Sequence, residues 1–147
     1  QNFHETFREL FGGGSCDLSL SNPDDILNSG IDISVQPPGK IVSHLELLSG
    51  GEKALVAIAL YFSIMKVNPA PFCVLDEIEA ALDDVNVGRF AAYLRRMNER
   101  TQFIVITHRR GTMEEADVLY GVTMQDEGVS KLLELHAAEL EQKLGIK

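Results

Sequence analysis

Two short, unbroken apolar runs, Phe72–Leu75 (FCVL) and Phe103–Ile106 (FIVI), flank a helical pattern, and this triplet constrains the fold more than any other feature. From about Asp84 to Met97, Val87, Phe90, Ala91, Leu94 and Met97 recur on one helical face. Strands that are apolar at every position suit a sheet covered on both faces. A helix returning between two such strands makes a βαβ unit, and its strands are parallel. Each run ends in polar residues: Asp76-Glu77 after the first, Thr107-His108 after the second. Ligands of open α/β sheets bind beyond the carboxyl ends of the strands. The spacing therefore places Asp76, Glu77 and His108 along one edge of the sheet.

Upstream, Ser49-Gly50-Gly51 opens a long apolar helix that runs to about Lys66. Leu55, Ile58, Ala59, Phe62 and Met65 form one stripe, and Val56, Leu60 and Ile64 form another. Apolar residues on two sides predict a helix sandwiched between layers. Ser49 and Glu52 fit the S-x-x-E capping box, a purely structural device. The two glycines ask for more, since each costs about 1 kcal/mol against alanine inside a helix. Close approach of backbone to a phosphate would explain them, because free N–H groups and the helix dipole attract anions there. An acid pair at a buried strand's end suits a divalent metal and a general base beside phosphate. Together these stretches indicate a nucleotide.

A complete phosphate loop, G-x-x-x-x-G-K-[ST], occurs nowhere in the 147 residues. Gly12-Gly13-Gly14 lacks a following Lys-Ser or Lys-Thr and reads as a helix stop, while Gly39-Lys40 is followed by Ile41. Before it, residues 1–11 carry Phe3, Phe7, Leu10 and Phe11 near helical spacing. Cys16–Leu20 and Ile31–Gln36 alternate apolar and polar residues, as half-buried antiparallel strands do. Thr112–Ala116 suggests a short helix. Leu119–Gln125 and Ser130–Leu135 suggest strands about a turn at Asp126-Glu127-Gly128, and 136–147 a polar, loosely ordered tail.

The length fits one domain. No apolar run reaches the roughly 18 residues that span a bilayer, and the polar opening QNFHETFREL has no signal-peptide core, so a cytoplasmic protein without membrane contact is expected. Cys16 and Cys73 lack metal-ligand spacing and read as reduced, buried thiols. The formal net charge of −9 disfavours binding of a phosphate backbone by this chain alone.

The motifs LSGGEKAL at 48–55, FCVLDEIEAALDD at 72–84 and FIVITHRRGTMEEADVLYGVTMQDEGVSK at 103–131 resemble the C-terminal head lobe of bacterial SMC proteins. These are chromosome-segregation ATPases within the ABC-type group. The opening NFHETFRELFGGG and QPPGK at 36–40 are similar to the same lobe, so the resemblance covers nearly the whole chain. The signature and strand-acid motifs alone reach only the ABC-type group. Glu52-Lys53, ALDD and GTMEEADVLYGVTM narrow it to SMC, and the last of these argues against a RecN-like repair relative.

The resemblance implies an α/β fold: the C-terminal half of an ABC-type P-loop ATPase head, with a mixed sheet, a parallel βαβ core and flanking helices. It implies ATP and Mg²⁺ as cofactors. Ser49, Gly50 and Gly51 would meet the γ-phosphate of ATP held by an opposite head. Asp76 would organise Mg²⁺, Glu77 would orient the attacking water, and His108 would face the γ-phosphate. Leu82 and Asp83 would belong to a loop joining two active sites across a head dimer. On the residues alone, the lesser alternatives are a helix cap for Asp83 and a hydrogen-bonded strand-end residue for His108. Glu79 reads as a solvated acid, and Arg109 and Arg110 as either phosphate or DNA contacts or a solvated pair. Implied partners are the N-terminal head lobe of the same polypeptide, a second head in an ATP-dependent homodimer, a kleisin subunit, and DNA through the full, nucleoid-associated complex. The competing reading is an interaction module, a docking platform for kleisin with residues 119–135 as the exposed sheet edge.

Overall fold

The computed structural model describes residues 1–40, 45–125 and 128–136. Of the tail expected at 136–147, His136 instead ends the last strand and 137–147 lie outside the described residues, as does the Asp126-Glu127 half of the last turn. Helix α1 (Asn2–Phe11) buries Phe3, Phe7, Leu10 and Phe11, and stops where Gly12 takes the left-handed conformation (φ 73°) and its N–H bonds to the Arg8 carbonyl. Strands β1 (Ser15–Leu20) and β2 (Ile31–Gln36) form the expected antiparallel hairpin, registered from Ser15↔Gln36 to Leu20↔Ile31. The half-burial expected of it holds only at its base. Val35 is buried and Cys16 and Ile33 pack on the core, while Leu18, Leu20 and Ile31 are exposed. Burial pushes the Cys16 thiol up to about 11, with Asp17 adding to it, so this sulfur is a packing group rather than a nucleophile.

Helix α2 (Gly50–Val67) and helix α3 (Asp84–Met97) enclose the centre of the core. Phe62 of α2 is fully buried and meets the rings of Phe90, Tyr93 and Phe103 at centroid distances of 6.2, 5.3 and 6.2 Å. Burying one such side chain contributes about 1.5–3 kcal/mol, and ring pairs at this spacing add to it. Thr6 and Tyr93 share a buried hydrogen bond of 3.2 Å, which ties α1 to α3. The second apolar stripe of α2 is only partly used: Val56 is buried, whereas Ile64 is exposed.

Strands β3 (Phe72–Asp76) and β4 (Gln102–Ile106) are parallel, with α3 as their crossover, as the sequence predicts. Cys73 and Leu75, with Phe103 and Val105 opposite, face the core. The other face differs from expectation. Phe72, Val74, Ile104 and Ile106 are 59%, 54%, 48% and 51% exposed, so only one side of this sheet is covered by the described residues. A short helix α4 (Arg110–Met113) follows, starting two residues earlier than the sequence suggests. The antiparallel hairpin of β5 (Val118–Met124) and β6 (Ser130–His136) closes the described chain. The class is mixed α/β, as expected. Among the described residues the strands pair as three separate two-stranded ladders.

Candidate nucleotide site

Strand β3 ends on Asp76, and the next residue bends sharply. Glu77 has φ 49°, the only non-glycine in the left-handed region among the described residues. That conformation costs a residue with a Cβ about 1 kcal/mol or more, and persists where the surroundings fix it. Its N–H donates to the Ile106 carbonyl at 2.9 Å, which extends the β3–β4 ladder by one rung. The turn brings the Glu77 carboxylate beside the end of β4, where Oε1 lies 3.3 Å from His108 Nδ1. Both side chains are more than half exposed, at 54% and 63%. Asp76 is exposed next to them. The three residues share the edge that the strand spacing assigns to them, pointing at solvent and away from the interior.

An exposed carboxylate and imidazole in contact can orient and deprotonate water. No cluster of three or more His, Cys, Asp or Glu suited to a metal exists among the described residues. A lone strand-end carboxylate nevertheless fits Mg²⁺, which keeps several waters and takes one or two carboxylates plus substrate phosphates. Asp76 could supply that single protein ligand.

Behind this edge the chain departs from the sequence reading. Glu79, expected in solvent, is fully buried. Its Oε1 accepts hydrogen bonds from the hydroxyls of Thr107 and Thr112, the latter at 3.1 Å. Little in the sequence announces this, apart from an acid set among Ile78, Ala80, Ala81 and Leu82. Leu82 is buried in the core, so its side chain is a packing group. Asp83 caps α3: Oδ1 accepts from the Asn86 N–H at 2.8 Å and Oδ2 from the Asn86 amide at 3.1 Å. The cap is one of the two roles left open for Asp83 by its residue type. Arg109 is tied to Asp84 at 2.8 Å and Arg110 to Glu114 at 2.8 Å, so each has an acid partner.

The serine–glycine turn is built as its sequence predicts. Ser49 is the N-cap of α2, and the capping box is complete: the Glu52 N–H donates to Ser49 Oγ (3.3 Å) and the Ser49 N–H to Glu52 Oε2 (2.9 Å). Ser49 and Gly50 are exposed, leaving the first turn of the helix open to an anion. Gly51 owes its identity to something else. A Cβ there would stand 2.8 Å from the Ala81 carbonyl oxygen, so the close approach is to the chain's own loop after β3. A Cβ on Gly50, by contrast, would meet nothing within 4 Å. The turn and the acid-bearing loop are therefore packed backbone to backbone.

Lys40 reinforces the cap through its ion pair with Glu52 Oε1 at 2.7 Å. The hydrogen bond from Lys40 holds the Glu52 carboxyl below its ordinary value, assisted by the Ser49 N–H. A lowered folded value means stability that is present above the unfolded carboxyl's pKa of about 4.3 and lost as pH falls through the folded one. We expect Lys40→Gln to move the Glu52 carboxyl titration, followed by NMR, back toward the ordinary glutamate value. An unchanged titration would show that Lys40 does not set it.

A family model described as the RecF/RecN/SMC N terminal domain matches residues 25–131, most of the chain. The chain belongs to the RecF/RecN/SMC family. Among characterised relatives, the chromosome partition protein Smc of Bacillus subtilis (strain 168) is 62% identical over 141 residues, 96% of this chain and 12% of the relative. The Smc of Clostridium kluyveri is 62% identical over 135 residues, covering 92% of this chain and 11% of that protein. This chain thus spans about an eighth of the length of such relatives. A solved structure described as addressing ATP-driven dimerisation and DNA-stimulated activation of SMC ATPases superposes with a TM-score of 0.86 at 45% identity, covering 98% of this chain and 87% of that one. An Smc head bound to the C-winged helix domain of ScpA gives 0.85 at 48% identity, covering 99% and 43%. The head domain of Thermotoga maritima SMC gives 0.74 at 44%, covering 92% and 46%. At these identities the family resemblance extends to the SMC head as a fold.

Proposed function

We propose that this chain is the C-terminal lobe of an SMC ATPase head and that it contributes two half-sites to ATP hydrolysis. The observation that carries the reading is the pair of exposed constellations. One is the capped, glycine-opened start of α2. The other is Asp76, Glu77 and His108 on the edge of β3–β4. Neither is accompanied by a phosphate loop within the 147 residues. The matching family model carries an N-terminal description; the C-terminal assignment rests on these motifs, since a serine–glycine signature and a strand-end acid pair are the parts that complement a phosphate loop. In this reading Ser49, Gly50 and Gly51 face the γ-phosphate of ATP bound to a second head, and Asp76 places Mg²⁺. Glu77 and His108 act on the attacking water, and the Leu82–Asp83 loop connects the two sites, its neighbour Ala81 lying against Gly51. Phosphoryl transfer depends on such positioning and charge neutralisation more than on covalent steps. The uncovered apolar face of β3–β4 supports a companion lobe seated there. Chromosome condensation and segregation would then follow from the complete, cytoplasmic, nucleoid-associated protein, with DNA engaged by the assembly.

The test is turnover by complementation. The isolated chain should hydrolyse no ATP above background, and adding a separately produced N-terminal lobe should restore both nucleotide binding and hydrolysis. Substantial activity of the isolated chain would overturn the half-site reading.

A second role, docking of a kleisin subunit, is favoured by the last hairpin. Tyr120, Val122 and Met124 of β5 are exposed on one face, with Leu132 exposed opposite Val122. A neighbouring solved head is described as bound to the C-winged helix domain of ScpA. The two roles draw on different residues and are compatible in one molecule.

A further inference from the structure

We infer that Glu79 is a positioning residue for hydrolysis: a buried carboxylate that ties the loop after β4 to the turn after β3 and thereby holds His108 against Glu77. The inference rests on the proposed roles of those two residues and adds a third to them.

The turn after β3 runs from Glu77 to Leu82, and the segment after β4 from Thr107 to Arg109 before α4. Both are irregular, and beyond the single rung from the Glu77 N–H to the Ile106 carbonyl, side chains fix their relation. Glu79 supplies the fixing group. Its Oε1 accepts from the hydroxyl of Thr107, immediately before His108, and from Thr112 in α4 at 3.1 Å. Thr107 Oγ1 in turn accepts the Arg109 N–H at 3.0 Å, immediately after His108. The backbone on both sides of His108 is thus held through one hydroxyl, and that hydroxyl is held by Glu79. On its own side, Glu79 accepts the Leu82 N–H through its carbonyl at 2.9 Å, closing the turn that Glu77 begins. Cut this hub, and what remains is the Glu77–Ile106 rung, the Arg109–Asp84 ion pair and the 3.3 Å contact itself, none of which fixes the backbone on both sides of His108.

A purely packing residue at this position would not be an acid. Glu79 is fully buried, and its Oε2 has no hydrogen-bond partner among the described residues. An orphaned buried carboxylate oxygen is costly, and an apolar residue of similar size would avoid that cost. What an apolar residue could not do is accept two hydroxyls at one oxygen. Glutamine could: its carbonyl oxygen keeps both acceptor bonds. Alanine keeps neither.

The experiment compares Glu79→Gln, Glu79→Ala and Thr107→Val in the full-length protein. Hydrolysis rate, nucleotide affinity, nucleotide-dependent dimerisation and thermal melting are measured for each. Expected is a loss of roughly 10-fold or more in hydrolysis for Glu79→Ala and for Thr107→Val, since small misplacements of reacting groups cost rate steeply. Nucleotide affinity and dimerisation should change less than threefold. Glu79→Gln should stay within about threefold of the parent, and the double variant Glu79→Ala/Thr107→Val should lose no more than the worse single one. If hydrolysis is unchanged in Thr107→Val, or falls equally in the glutamine and alanine variants, the inference is overturned. It is also overturned if affinity and melting fall in step with rate, since that marks a structural role alone. Should Glu79→Ala fail to fold, Thr107→Val decides. Parallel measurement of Glu77→Gln and His108→Ala separates the two levels: if these also leave hydrolysis intact, the site reading itself is wrong, and if they abolish it, only the role of Glu79 is.

Discussion

Replacing Glu77 by glutamine in the complete protein should lower ATP hydrolysis by about 10²–10⁴-fold, the range a general base typically contributes. Nucleotide binding should survive. Glutamine matches the shape of glutamate and can keep the contact with His108, now 3.3 Å, and it adopts the φ of 49° no less readily. The fold and the strand-end turn are therefore left intact while the negative charge proposed to draw a proton from water is gone. A head that binds ATP and cannot cleave it should stay in its nucleotide-bound state. Dimers should accumulate with ATP, and gel filtration can read them directly. A variant that turns over at the parental rate would remove Glu77 from the chemistry, whatever happens to the dimer.

Ser49→Arg should abolish ATP-dependent dimerisation and leave ATP binding by single heads in place. Ser49 stands exposed at the positive end of α2, where the capping box takes up the Ser49 and Glu52 N–H groups and leaves those of Gly50 and Gly51 without helical partners. Arginine adds bulk in the space a phosphate would enter, and places a further cation where the helix dipole is already positive. It also removes the cap, which costs about 1 kcal/mol. That second effect must be separated from the first, and Ser49→Ala does so by deleting the cap without adding bulk. The alanine variant should dimerise, weakened only modestly; the arginine variant should not dimerise at all. Unimpaired dimers of Ser49→Arg, seen in the same chromatographic experiment, would take this helix start out of the interface.

What a sequence can show, and what it cannot, follows from the range of the forces involved. The βαβ unit is legible because periodicity and apolar runs are local signals, and α3 spans Asp84–Met97 as its pattern predicts. The capping box is legible for the same reason, since donor and acceptor lie three residues apart. Gly51 is marked by its sequence as special, but the reason lies elsewhere than in a phosphate contact alone. Its constraint is the Ala81 carbonyl, thirty residues further along the chain, and no local pattern encodes that approach. Glu79 escapes a sequence reading because an acid in a turn is ordinarily hydrated; the hydroxyls that hold it come from beyond the next strand. The ion pairs of Arg109 and Lys40 are long-range in the same way, across 25 and 12 positions.

The bare side of β3–β4 sets how such a chain must be handled and, in a cell, how it must be made. Phe72, Val74, Ile104 and Ile106 present a contiguous greasy strip to water, and strips of that kind find one another as concentration rises. If a companion lobe covers this face, as proposed above, folding becomes a race between seating against that lobe and clumping with other copies. Dilution slows only the second when the neighbour is carried on the same chain, because an intramolecular encounter does not depend on concentration.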